Sequence, residues 1–313
     1  MKLSIVLAAY NGAETICAQL ESILAQTRKP DEVLIFDDCS TDDTVETVRR
    51  FAAQYDPDGA IRLIQNEKNQ GWRANFMLGF RQAAGDVIFC ADQDDVWHKD
   101  KLEKMTAVLE QHPEVRVLAC NIHPFYEEGA QLVQVGSHQT DPYGTHPLEK
   151  VALDKMWLEP WRPGCAMCFR QELLPQLEAI WFPACAHDLL LWAVGIAVGG
   201  AWILNEELID QRRHSGNNTP SNAKTRKIRG GLMELYTTLS GKILQNQQQL
   251  TLPPENVQMV EQLNRFYAKR GAAIRSGNPL QLAGLLADLK LYPTGKAWLA
   301  DCLAALQIGR AHV

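Results

Sequence analysis

Five short apolar runs, Leu3–Ala9, Glu32–Phe36, Ile61–Gln65, Val87–Ala91 and Val115–Cys120, recur through the first 120 residues. Between them lie stretches with helical periodicity, Ala13–Ala25, Thr41–Tyr55, Arg73–Ala84 and Lys99–Gln111. Strand and helix signals that alternate in this way predict βαβ units. The runs are apolar at odd and even positions alike, so both faces need cover. That is the pattern of a mostly parallel sheet flanked by helices. Ligands of such sheets bind outside the carboxyl ends of the strands, which makes the residue after each run informative. The first run ends in Tyr10-Asn11-Gly12 and the second in Asp37-Asp38-Cys39-Ser40-Thr41-Asp42. Asn66-Glu67-Lys68-Asn69-Gln70-Gly71 follows the third, and Asp92-Gln93-Asp94-Asp95 the fourth. The polar groups are expected to gather on one edge.

Residues 124–163 carry Pro124, Pro142, Pro147, Pro160 and Pro163 and read as a loop-rich flap toward an acceptor. Helical patterns return at Arg170–Ala179 and Cys185–Val198, and a last short strand is expected over Ala201–Leu204. Beyond Pro220 the chain reads as helices interrupted by Pro253-Pro254, Gly277-Asn278-Pro279 and Pro293. The organisation expected is therefore an α/β domain over 1–220, split into a nucleotide-binding half (1–120) and an acceptor-binding half (121–220), with a helical region over 221–313. The apolar stretch Leu189–Asn205 is shorter than the roughly 20 residues that span a bilayer, so no transmembrane helix is expected. The N-terminal run lacks a signal-peptide pattern. Eight irregularly spaced cysteines then fit free thiols in a reducing cytoplasm.

The net charge of −6 conceals an asymmetry: residues 224–313 hold 12 Lys/Arg against 5 Asp/Glu, leaving 19 against 32 in residues 1–223. The basic helical region is expected to lie peripherally on anionic lipid, at the inner face of the plasma membrane. A solvated helical appendage is the plainer alternative. Nucleic acid is not expected as a partner, because the acidic body repels phosphates.

Three carboxylates within four positions, Asp92, Asp94 and Asp95, repel one another unless a cation is nearby. The Asp92-x-Asp94 spacing suits one Mg²⁺ or Mn²⁺, a hard cation usually completed by water and a diphosphate. A lone Asp-x-Asp is more often a solvated turn, and its position after an apolar strand is what raises its interest. In the second loop Ser40 or Thr41 suits the N-cap of the following helix, with Asp42 and Asp43 at its positive end. Capping leaves Asp37 unexplained, and its carboxylate can accept from a pyrimidine N3–H or a ribose hydroxyl.

The blocks "SIVLAAYNGAETICAQLESILAQT", "EVLIFDDCSTDDT", "NQGWRANF", "GDVIFCADQDDVWHKDKLEKM", "PGCAMCFRQELL", "HDLLLWAVGIAVGG" and "QRRHSGNN" succeed one another as in family 2 glycosyltransferases of the GT-A fold. The sequence resembles that family over about residues 1–218, particularly its bacterial rhamnosyltransferase-like branch. Cys39 stands where the family usually has Gly, and Arg212-Arg213-His214 alters the usual Tyr-Arg-x-His. The resemblance implies an inverting, metal-dependent transfer of a sugar from a dTDP- or UDP-linked donor to a glycan or lipid-linked acceptor. Its branch favours rhamnose and surface polysaccharide assembly. By the same resemblance, Ala9, Tyr10, Asn11, Asp37, Asp38, Asn66, Arg73, Asp92 and Gln93 would line the nucleotide. Asp94 and His214 would hold the metal. Asp95, Trp97, Gly164, Cys165, His187, Arg212 and Asn217 would face the diphosphate or acceptor, and Asp188 would be the general base.

Other chemistries compete. Asp188 also suits a helix cap, and His187 equally suits a packing role. Cys165, Cys168, Cys185 and His187 superficially offer four zinc ligands, but their apolar setting favours buried thiols. Trp157 and Trp161 suit either sugar stacking or packing. An aspartyl phosphatase of haloacid dehalogenase type would use Asp92-x-Asp94-x-Val96, though that motif should follow the first strand. A non-catalytic nucleotide- or glycan-binding module would keep Asp37 without needing Asp188.

Overall fold

The computed structural model describes residues 1–126, 146–159, 162–213 and 225–306. Its first half alternates β1 (Leu3–Ala9), α1 (Ile16–Leu24), β2 (Glu32–Asp37), α2 (Thr44–Tyr55), β3 (Ile61–Gln65), α3 (Trp72–Gln82), β4 (Val87–Asp92), the two-residue β5 (Val96–Trp97) and α4 (Lys101–Gln111). There follow β6 (Val117–Tyr126), β7 (Leu148–Lys150), β8 (Met167–Arg170), α5 (Leu174–Ile180), α6 (His187–Ala197) and β9 (Ala201–Arg213). One sheet runs β3-β2-β1-β4-β8-β6-β9-β5, with β7 on β9. Strands β3, β2, β1 and β4 are mutually parallel, as are β6 and β9. Strand β8 is antiparallel to both β4 and β6 and joins the two parallel halves.

Helices α1, α2 and α4 cover one face of the sheet with Ile16, Leu20, Ile23, Val48, Leu102 and Met105. The other face packs on α3, α5, α6 and the C-terminal helices α7 (Arg226–Gln245), α8 (Gln247–Leu250), α9 (Pro254–Ser276), α10 (Pro279–Gly284) and α11 (Gly295–Ala305). A single apolar cluster runs from Val6 and Phe36 through Trp157 and Trp192 to Leu239, Leu263 and Tyr292. Asn256 of α9 also donates to the Ala197 carbonyl, 2.8 Å away, at the C-terminus of α6. Within the C-terminal helices the wholly buried Asp301 accepts from Arg229 at 2.7 Å and Arg270 at 2.6 Å.

Several expectations are corrected. Helix α2 starts at Thr44 rather than Thr41; Asp42 receives the Thr44 amide at 3.0 Å, so the loop acids organise the turn ahead of the helix. Arg170 ends a strand, and the helix expected from it begins at Leu174. The last strand does not stop at Leu204 but runs to Arg213. Its polar Asn205-Glu206-Glu207 segment disguises this continuity, and irregular register against β6 at Cys120–His123 absorbs the break in alternation. Trp157 is fully buried, which removes it from sugar stacking. His214, Asn217 and Trp161 lie outside the described residues.

Candidate active site

The parallel register places Ala9 beside Asp37, Asp37 beside Gln65 and Ala8 beside Asp92, so the loops predicted to carry polar groups leave the sheet side by side. The first loop is tied to both neighbours. Gln93 accepts from the Tyr10 amide at 2.8 Å and donates to the Tyr10 carbonyl at 3.0 Å. A Cβ on Gly12 would fall 2.2 Å from the Gln93 amide oxygen, so a side chain there would displace the Gln93 amide from Tyr10. Asn11, at φ 50°, accepts from the Thr41 amide at 2.8 Å while its own amide reaches Ser40. Cys39 has φ 64°, the left-handed conformation for which glycine is the cheaper residue.

Asp37 and Asp38 are both buried, with different surroundings. Asp37 accepts from the Ser40 hydroxyl and from the Ser40 amide. Asp38 accepts from Asn66 at 2.8 Å, the Gln70 amide at 2.7 Å and the Gly71 amide at 2.7 Å. It thereby fixes the third loop, and Asn75 extends the network by linking Asn66 to the Phe36 carbonyl. Arg73, at the start of α3, is exposed and lies over the Trp72 ring at 4.3 Å.

Asp92, Asp95 and Cys165 bring ligand atoms within 4.8 Å of one another, the only such group among the described residues. Asp94 is not part of that group; its carbonyl accepts from Arg212 Nε at 2.9 Å. Asp95 accepts from the Arg212 amide at 3.2 Å, and its buried Oδ2 has no hydrogen-bond partner. Burial, reinforced by Asp95, Asp94 and Asp188, pushes the Asp92 carboxyl well above the ordinary carboxylate range. Burial and Asp94 raise Asp95 to about 7. Two carboxyls held back from ionising this close together form a pair that a hard cation would relieve. The carboxylates fit such an ion; the Cys165 thiol, itself pushed up by burial and by Asp95, is a poor partner for it.

Beneath this loop stands Lys101, wholly buried, donating to the Cys165 carbonyl at 2.8 Å with its ammonium 3.7 Å from the centre of the Trp97 ring. Trp97 is therefore a floor of the loop and not its exposed lining. Gln211 of β9 donates to Cys165 Sγ at 3.5 Å. Neither Lys101 nor Gln211 figures in the sequence-based site. Lys101 was detectable, because it shares a helical stripe with Leu102, Met105 and Leu109.

Asp188 is the second residue of α6, half-buried, and accepts from the Leu189 amide at 2.7 Å. It lies close enough to Asp92 to raise that carboxyl's pKa. His187 is buried and stacked on Phe76 at 3.7 Å between ring centroids, and neither ring nitrogen has a partner. A Cβ on Gly164 would lie 2.0 Å from His187 Nε2. Burial lowers the His187 pKa to about 4, so the imidazole is neutral. The zinc reading fails geometrically among the described residues: Cys165 groups with carboxylates, not with Cys168, Cys185 and His187.

The family model described as glycosyl transferase family 2 matches residues 4–176. Over 134 residues the chain is 35% identical to EpsE of Bacillus subtilis, which carries a glycosyltransferase name; the match covers 43% of this chain and 48% of EpsE. The chain thus spans about half the length of that relative. Alr2836 of Nostoc sp., also named a glycosyltransferase, is 29% identical over 231 residues, covering 71% of this chain and 68% of that one. Among solved structures, S. aureus TarS 1–349 in complex with UDP-GlcNAc superposes with a TM-score of 0.61 at 17% identity, covering 98% of this chain and 92% of TarS. The mannosyltransferase PcManGT of Pyrobaculum calidifontis, in complex with GDP-Man and Mn²⁺, gives a TM-score of 0.51 at 22% identity, covering 98% and 86%.

Proposed function

Since the chain belongs to glycosyl transferase family 2, we propose that it transfers a sugar, rhamnose by its branch resemblance, from a dTDP- or UDP-linked donor to a hydroxyl of a glycan or lipid-linked acceptor. The observation that carries this reading is that Asp37 and Asp92 end the two strands flanking β1 at the same edge of the sheet, with Asp188 close enough to Asp92 to act on its charge. Asp37 receives the base or ribose, and the first and third loops, fixed by Gln93 and Asp38, flank it. Asp188 takes the proton of the acceptor hydroxyl as its oxygen forms a bond to the anomeric carbon. The bond from that carbon to the diphosphate breaks on the opposite face, so the configuration inverts. Negative charge grows on the leaving diphosphate, and Arg212, which the resemblance assigns there and whose Nε reaches the Asp94 carbonyl, meets it. A divalent cation, Mg²⁺ or Mn²⁺, would be held by carboxylates of the Asp92–Asp95 loop, with Asp94 the resemblance-based ligand. When bound it would stabilise that same charge. TarS and PcManGT, solved in complex with UDP-GlcNAc and with GDP-Man and Mn²⁺, lend support to a nucleotide-sugar donor and a divalent ion.

A cytoplasmic location with peripheral membrane contact suits a lipid-linked acceptor; no described helix is long and apolar enough to cross a membrane. The phosphatase alternative is not favoured, because Asp92-x-Asp94 follows the fourth strand of the chain. The deciding experiment incubates the protein with Mn²⁺ and dTDP-rhamnose, UDP-GlcNAc or GDP-mannose and measures release of the nucleoside diphosphate. One donor should be turned over, and Asp92→Asn should abolish it. Phosphate release from a simple phosphomonoester, with no nucleoside diphosphate from any donor, would favour the phosphatase.

A further inference from the structure

Eleven large apolar side chains are exposed among the described residues, and six of them, Leu280, Leu286, Leu289, Leu299, Leu303 and Leu306, fall within the 27 positions 280–306. These positions comprise α10, the kinked turn Leu285–Leu291 and α11, which pack on one another. Leu280 is 82% exposed, Leu299 53% and Leu303 43%. Leu299, Leu303 and Leu306 follow the i, i+4, i+7 spacing that aligns side chains along one helical stripe. The opposite side of α11 is anchored inward by the buried Asp301, Ala304 and Ala305. A helix fixed on one side and lined with leucine on the other presents those leucines to something.

The charges on this segment indicate what that is. Lys290 and Lys296 are exposed. Its two acids are engaged: Asp301 is wholly buried against Arg229 and Arg270, and Asp288 pairs with Lys269 at 2.6 Å. Leucines flanked by lysines, without a free carboxylate, are the composition of a helix lying in the interface of an anionic bilayer. A second copy of the chain is a poorer occupant, since pairing two such faces would bring the lysines of both together with no acid to meet them. The acidic body, with 32 Asp/Glu against 19 Lys/Arg over 1–223, would be held away from the same surface and leave this face as the approach.

We infer that residues 279–306 form a membrane-docking surface whose leucines enter an anionic bilayer and whose Lys290 and Lys296 meet the lipid phosphates. This identifies a surface for the membrane contact proposed above. It does not depend on the identity of the donor.

The test is sedimentation of the full chain with vesicles of equimolar phosphatidylglycerol and phosphatidylcholine. The protein should pellet with them, and Leu299→Glu combined with Leu303→Glu should lower the partition coefficient by about tenfold or more. Lys290→Glu with Lys296→Glu should also lower it by about tenfold or more. Because the leucines supply part of the attachment, high salt should weaken pelleting without abolishing it. All four positions are surface-exposed, and a melting curve confirms that each variant is folded. Diphosphate release from a soluble donor by the same preparations should be unchanged, which separates failure of docking from failure of the transferase reading. The inference is overturned if the protein does not pellet or the leucine variant pellets as the unsubstituted chain does. A leucine-dependent dimer in the absence of lipid would likewise overturn it, in favour of the second copy.

Discussion

Asp188 and His187 are adjacent in sequence and opposite in environment. Asp188 is half-buried at the start of α6, whereas His187 is enclosed by aromatic rings. Asp188→Asn should retain the bond to the Leu189 amide, because the amide oxygen replaces a carboxylate oxygen in the same place. Melting temperature and donor binding should therefore survive, while transfer at saturating donor falls by roughly 10²-fold, the scale of a lost general base. Turnover near that of the unsubstituted enzyme would reduce Asp188 to a helix-start residue. For His187, the folded pKa lies near 4 against an ordinary 6.5. A depressed value means that folding excludes the proton, so this contribution to stability is complete above pH 6.5 and is lost as pH falls toward 4. The melting temperature should decline across that window, and His187→Leu should flatten the decline. At this scale the sequence disclosed the loop acids readily, because an acid following a buried strand has no packing explanation. It did not disclose that Asp38 is fully engaged in holding the third loop, since neighbouring acids look alike until their donors are known.

Among the elements, βαβ alternation was legible through β4 because both periods repeat without interruption there, whereas the two-residue β5 that precedes α4 is too short to leave a periodicity. Strand β8 was hidden in the short apolar run Met167-Cys168-Phe169, too brief for periodicity to separate strand from helix. Its antiparallel insertion is also non-local: it pairs with β4, about 80 positions earlier in the chain, which no window of sequence reveals. The continuation of β9 was lost at three polar residues, and with it the placement of Gln211 at the site. The C-terminal helices were legible as helices, but not their closure. Arg229 of α7 and Arg270 of α9 converge on Asp301 of α11, and Arg270 also lies 4.5 Å from the centre of the Tyr292 ring. Removing the acid leaves two guanidinium groups without their buried counter-charge. Asp301→Ala should lower stability by about 3–5 kcal/mol in a denaturant titration. A loss below about 1 kcal/mol would mean that the pairing is relieved by water.

For the molecule as a whole, the apolar cluster that joins the sheet to the C-terminal helices sets how the protein comes apart. Helix α6 lies within that cluster; of its eleven residues only Asp188 is not buried. Asn256 of α9 ties down its other end. No local fraying can release the backbone amides of Leu190–Ala197 while neighbouring layers remain in place. Their exchange with deuterated solvent should therefore keep time with the slowest opening of the fold. The proposed base is fixed to that same clock: an opened form that has surrendered α6 has surrendered Asp188 with it. Loss of activity under mild denaturant should then coincide with loss of the protected amides, with no interval in which an inactive but otherwise closed protein accumulates.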